Sequence, residues 1–240
     1  MRRYLKRDEH TRRHTRPQKV LPCALLLACL GLSLMNAPTG LADVPPGREQ
    51  PDPAIAKIIE EINESELEET TYDLQKVPTR IFGSEGNREA GEYLYARLAD
   101  IPGLLVEFQG GELNNIIATL PGGGNTSDEV VIVGAHYDST SSDPARSPGA
   151  TDNACGVAIV LELARVMSRH SFDRTVRFAF WNAEESGSRG STDYVARARD
   201  TGAPVVLYLN YDSACYDPED RFVLDIVYDE RSADVAALMA

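Results

Sequence analysis

The sequence predicts an α/β fold, a three-layer sandwich around a mixed, largely parallel central sheet. Three observations carry that prediction. Short β-rich runs alternate with amphipathic helical stretches across residues 53–240, the pattern of strands covered on both faces. The composition, 42% apolar and 25% charged over 240 residues, supports one substantial core and excludes a disordered or disulfide-stapled chain. Polar residues of metal-binding type gather where the apolar runs end, and in such sheets ligands bind beyond the carboxyl ends of strands.

The elements follow in order. Ile55, Ile58, Ile59 and Ile62 recur at helical spacing, and Ser65 is expected to cap a second helix carrying Leu67 and Leu74. Seven acids and no base lie between Glu60 and Asp73, which reads as a solvated helix face. A third helix is expected over Asn87–Leu98, with Ala90, Tyr93, Leu94 and Leu98 on one stripe. Strands follow at Leu104–Phe108, Asn115–Leu120 and Val130–Ala135. A long apolar helix over Ala154–Ser168 precedes a strand at Thr175–Trp181. A helix at Ser191–Ala198 precedes a strand at Val205–Leu209, and a last helix begins at Ala233.

The first 42 residues read separately. Eight basic residues stand against Asp8 and Glu9 in residues 1–19, an uncharged apolar run follows from Val20 to Met35, and small residues lead to Ala42. This is the layout of a secretory signal peptide, residues 1–42, with the mature protein extracytoplasmic. The run is shorter than the roughly 20 residues that span a bilayer, so no stable membrane span is expected after its removal. Residues 43–52 read as a flexible leader and 53–240 as one domain. Residues 43–240 carry 16 basic and 35 acidic residues, a field that disfavours nucleic acid as a partner. Only Cys155 and Cys215 remain outside the signal, which excludes a disulfide framework and leaves a single bridge between them open.

Three strand ends and one loop carry the chemistry. His136 and Asp138 follow one strand and point the same way, so His136 can bind a metal that Asp138 orients. Asp152 sits on the loop Gly149–Ala154 ahead of the long helix, where Asn153 can supply the cap and leave Asp152 available. Glu184 and Glu185 follow Trp181, and two carboxylates at the mouth of a core repel unless a cation or proton intervenes. Asp212 repeats the arrangement after the last strand. One His with several carboxylates is an oxygen-rich set suited to zinc, with manganese or cobalt as alternatives.

The strings HYDS (136–139), GATDNACG (149–156), NAEESGSRGS (182–191) and LNYDS (209–213) resemble those of the secreted co-catalytic zinc aminopeptidases related to bacterial leucyl aminopeptidase and glutamate carboxypeptidase. TRIFGSEGN (79–87) and NNIIATLPG (114–122) look like the same family's approach to its domain. The resemblance implies a zinc-exopeptidase-like fold, a peptide or protein substrate, and two zinc ions bridged by Asp152. His136 and Asp212 would complete the first metal, and Glu185 would bind the second. Glu184 would be the general base, Asp138 would orient His136, and the Asp152–Asn153 peptide would be cis. The family supplies a further His to the second metal beyond the position of Asp212. Here His10 and His14 lie in the signal and His170 ends a helix, so the second site lacks its usual His and the domain is expected to be incomplete at its C-terminus. The implied activity is that of a metallo-aminopeptidase. The alternatives are a carboxypeptidase or glutaminyl cyclase of the same fold, or a non-catalytic binding domain. The cyclases are expected to lack the His136–Asp212 pair, and a binding domain would be indifferent to Glu184→Ala.

Overall fold

A computed structural model of the chain describes residues 52–216 and 226–239. The expected signal peptide and nearly all of the leader lie outside the described residues. Helix α1 (Pro53–Glu60) opens on Asp52, whose carboxylate accepts from the Ala54 N–H at 2.7 Å with proline in the first turn. Helix α2 (Glu64–Lys76) is capped by Asn63, which accepts from the Ser65 N–H at 3.0 Å, and not by Ser65 as the sequence suggests. Both residue types cap well. The extended backbone of Asn63 places its amide oxygen over the first turn, and Ser65 is already helical. Helix α3 (Glu85–Ala99) begins two residues before the expected point because Ser84 caps it, accepting from the Asn87 N–H at 3.1 Å.

Five strands form one sheet in the order β1-β2-β4-β3-β5: β1 (Leu105–Gln109), β2 (Asn115–Leu120), β3 (Val130–His136), β4 (Thr175–Trp181) and β5 (Val205–Asn210). The pairs β1/β2 and β2/β4 are antiparallel, whereas β4/β3 and β3/β5 are parallel. The sheet is therefore mixed as predicted, with β2 alone running against the other four. Helix α4 (Cys155–Met167) connects β3 to β4, α5 (Arg189–Thr201) connects β4 to β5, and α6 (Ala233–Met239) comes last.

Strand parity separates two cores. Val131, Val133 and Ala135 of β3, with Phe178 and Phe180 of β4, face α4, α3 and α2. Val130 and Ile132, with Ala179 and Trp181, face Tyr194 of α5. Every residue of β3 is buried, as expected of a central parallel strand. Helix α4 is buried at all but one of its positions because it lies between the sheet and α2. Its one acid, Glu162, is only 3% exposed. It pairs with Arg165 at 2.6 Å and accepts from the Asn63 N–H at 2.6 Å, which fixes the turn before α2 onto α4.

The register sets the site. His136 stands opposite Trp181, so β3 and β4 end level, and Asn210 stands opposite Gly134, so β5 ends two residues earlier.

Truncating the fully buried Leu94 to Ala should lower the unfolding free energy by about 2–5 kcal/mol, and Asn63→Ala by about 1 kcal/mol, both read by denaturant unfolding followed by circular dichroism.

Candidate metal centre

His136 ends β3 with only 2% of its side chain exposed. Its Nδ1 lies 3.2 Å from the Asp138 carbonyl and 3.5 Å from Asp138 Oδ1, which fixes the ring and aims Nε2 outward. Nε2 stands 3.1 Å from Asp152 Oδ1 and 3.7 Å from Asp212 Oδ2. The ligand atoms of these three residues lie within 4.8 Å of one another, the one such group of three or more among the described residues. Asp152 and Asp212 are about half exposed, so the group opens to solvent on the side away from His136.

Asp152 is delivered by the irregular turn Ala150–Ala154, and its peptide bond to Asn153 is cis. Asn153 is fully buried and ties three segments together. Its Oδ1 accepts from Gly156 N at 3.2 Å and from Ser213 N at 3.3 Å, and its Nδ2 donates to the Tyr211 carbonyl at 2.9 Å. The sequence assigns Asn153 a capping role, and the structure adds the bridge to the Asp212 loop. Gly156 is required for this close approach, because a Cβ there would stand 2.6 Å from the Tyr211 carbonyl.

Glu184 and Glu185 enter through their backbones. The completely buried Asp138 accepts from Glu184 N at 3.0 Å with Oδ1 and from Glu185 N at 3.2 Å with Oδ2. The same carboxylate that orients His136 thus anchors the acidic pair. Glu184 Oε1 accepts from the Ser188 hydroxyl at 3.1 Å. Glu185 Oε1 is buried with no hydrogen-bond partner. The carboxylates of Glu184 and Glu185 lie outside the compact group of three.

The electrostatics fit a cation. Burial opposes charge on His136, but the Asp138 and Asp212 carboxylates outweigh it and hold the imidazole at a pKa raised to about 10. Hydrogen bonding to His136 depresses Asp212 in turn. Burial, then the negative charge of Asp152, pushes the Glu185 carboxyl above its ordinary value. A buried carboxylate oxygen without a donor, beside an imidazole that holds a proton because of surrounding acids, matches the donor chemistry of a metal such as zinc.

Sequence reasoning assigned no role to four residues that frame the site, Asn87, Asn115, Asn182 and Arg80. Asn182 Nδ2 donates to Asn87 Oδ1 at 3.1 Å, Asn87 Nδ2 returns a bond to Asn182 Oδ1 at 2.9 Å, and Asn115 Oδ1 accepts from Asn182 N at 3.1 Å. These buried amides hold the start of the Glu184 loop, where Ala183 takes a left-handed φ of 56°. Arg80 is the fourth element of the frame besides Asn87, Asn115 and Asn182. Its place in TRIFGSEGN was the available signal.

His170 is engaged elsewhere, with Nε2 3.1 Å from Glu61 Oε1. Cys155 and Cys215 are not joined by a disulfide. A hydrogen bond with Cys215 lowers the pKa of the Cys155 thiol against the opposing effect of burial.

Among the described residues, no helix is long and apolar enough to cross a membrane.

Comparison with known proteins supplies the family. The Peptidase family M28 model matches residues 115–240. Leucine aminopeptidase 2 of Trichophyton equinum is 33% identical over 142 residues, covering 58% of this chain and 28% of that protein, so the chain spans less than a third of this relative's length. Legionella pneumophila LapA aminopeptidase superposes with a TM-score of 0.60 at 19% identity, covering 77% of this chain and 51% of that one. Porphyromonas gingivalis glutaminyl cyclase superposes with a TM-score of 0.55 at 20% identity over 64% and 62% of the two chains. These two likenesses bear out the fold. With the family model covering more than half of the residues, including all the strand ends that build the site, the chain belongs to peptidase family M28.

Proposed function

We propose that this chain carries the catalytic core of an extracytoplasmic, zinc-dependent exopeptidase, an aminopeptidase that hydrolyses N-terminal peptide bonds. The observation that carries the reading is the convergence of His136 Nε2, Asp152 and Asp212 within 4.8 Å at the carboxyl ends of the parallel strands. In this reading His136, Asp152 and Asp212 would hold one zinc ion, and Asp152 and Glu185, whose buried carboxylate oxygen has no hydrogen-bond partner, would hold a second. Zinc in such a site supplies Lewis-acid polarisation of the scissile carbonyl and a lowered pKa for water. Glu184 then removes a proton from the attacking water and returns it to the leaving amine, so that water and peptide yield a free amino acid and a shortened peptide. The bond from Ser188 holds one Glu184 oxygen in place, and Asp138 fixes both the His136 ring and the backbone from which Glu184 projects.

We assign residues 1–42 to a signal peptide, 43–52 to a leader and 53–240 to the catalytic domain. Peptides are the partner class, and the acidic body of the protein argues against nucleic acid. Glutaminyl cyclase activity is the alternative that the fold likeness raises and the His136–Asp212 pair argues against.

Three outcomes are expected. Glu184→Gln should lower kcat on chromogenic aminoacyl substrates about 100-fold or more while zinc binding is unchanged; an unaltered kcat would remove Glu184 from the base role. Zinc uptake by the metal-free chain at pH 8 should release a proton from His136, read by calorimetry in buffers of differing ionisation enthalpy. The folded His136 pKa exceeds the unfolded value of about 6.5, so its contribution to metal-free stability is full below that pH and is lost as pH rises through about 10. Thermal melts of the metal-free chain across that window measure the loss.

A further inference from the structure

Arg80 is completely buried, and among the described residues it forms no ion pair with a carboxylate. Its guanidinium is spent on backbone carbonyls. Nε donates to Tyr137 at 2.9 Å, Nη1 to Leu74 at 3.0 Å and to Pro148 at 2.5 Å, and Nη2 to Gly149 at 3.0 Å. Two of these acceptors sit on the segments that carry the candidate ligands. Tyr137 lies between His136 and Asp138, and Gly149 begins the turn that delivers Asp152.

The backbone around Arg80 repeats the connection. Arg80 N donates to Ser139 Oγ and Ser139 N donates to the Arg80 carbonyl, each at 3.2 Å, while the Ser139 hydroxyl donates to Ser147 at 2.7 Å. Ser147 N donates to Pro78 at 2.7 Å, and Thr79 bridges Ser147 in parallel. Residues 78–80 therefore lie as a short splint between the end of β3 and the 147–149 segment. Gly149 completes the fit: its φ is 47°, and a Cβ there would stand 3.0 Å from Arg80 Nη2 and 2.8 Å from Ser139 Cβ.

A buried cation bound only to carbonyls is an expensive way to fill space, since burial drives its pKa down to about 10 against the support of Asp138 and Asp152. A planar fork of five N–H donors at fixed angles is well suited to hold several carbonyls at set separations, and a lysine ammonium is not.

We propose that Arg80 is a positioning residue for the metal centre, its guanidinium setting the spacing between His136 on β3 and the Asp152 turn. The proposal rests on the reading above that these residues hold zinc. Groups that orient metal ligands from behind typically change metal affinity by 10- to 100-fold when altered.

The test compares the full chain with Arg80→Lys and Ser139→Ala, each stripped of metal. Zinc dissociation constants are measured by competition with a chromophoric chelator, cobalt(II) visible spectra report ligand geometry, and thermal melts report the metal-free fold. Arg80→Lys is expected to weaken zinc about tenfold or more and to change the cobalt spectrum, and Ser139→Ala to weaken zinc several-fold. Folded variants that bind zinc with wild-type affinity and give the wild-type cobalt spectrum would overturn the proposal, leaving Arg80 a packing residue whose loss lowers only the melting temperature. If Arg80→Lys yields no folded protein, Ser139→Ala decides between the same two outcomes. A wild-type chain that takes up no zinc would overturn the zinc reading itself, whereas zinc-binding wild type with unaffected variants overturns the positioning role alone.

Discussion

The site depends on one buried carboxylate. Asp138 is wholly removed from solvent, and a charge in that position requires compensation from several donors. It obtains them from the backbone N–H groups of Glu184 and Glu185 and from proximity to His136 Nδ1. Those partners come from the ends of two different strands, β3 and β4, which lie in parallel register with His136 opposite Trp181. One side chain therefore converts the level ends of a parallel sheet into a fixed relation between an imidazole and an acidic pair.

Much of this was legible in the sequence because the apolar runs stop abruptly. Val130–Ala135 ends in His136, Thr175–Trp181 leads to Glu184, and Val205–Leu209 leads to Asp212, so the strand ends and their polar residues announced themselves together. Strand limits agree within a residue, and for β2, β3 and β4 burial on both faces leaves little choice of boundary. Helix starts were less legible. Asn63 and Ser65 are both good caps two residues apart, and only the backbone conformation selects between them. Arg80, Asn87 and Asn115 lie inside strings that carry the family resemblance, but no local pattern assigned them a role, since their partners are 6 to 95 residues away and an isolated asparagine or arginine carries no periodicity. The sequence left a bridge between Cys155 and Cys215 open, and the two thiols interact without being joined.

The electrostatic state of the cluster links it to stability. His136 sits among three acidic groups, and holding a proton there relieves the mutual repulsion of Asp138, Asp152 and Asp212. A divalent cation relieves it more completely. Any ligand that binds the folded form alone stabilises that form by mass action, so an ion held by these acids would add stability that rises with the logarithm of its concentration above the dissociation constant.

The loops that carry the acids are held chiefly by amides. Asn153 joins the Asp152 turn to the Asp212 loop, and Asn87, Asn115 and Asn182 brace the start of the Glu184 loop. A carboxamide donates and accepts in the same way from strong acid to strong base. Protonating the acids that these amides position would therefore leave the carboxamide braces as they are, whereas the tie from Asp138 to the Glu184 loop is made by a carboxylate and would not be spared.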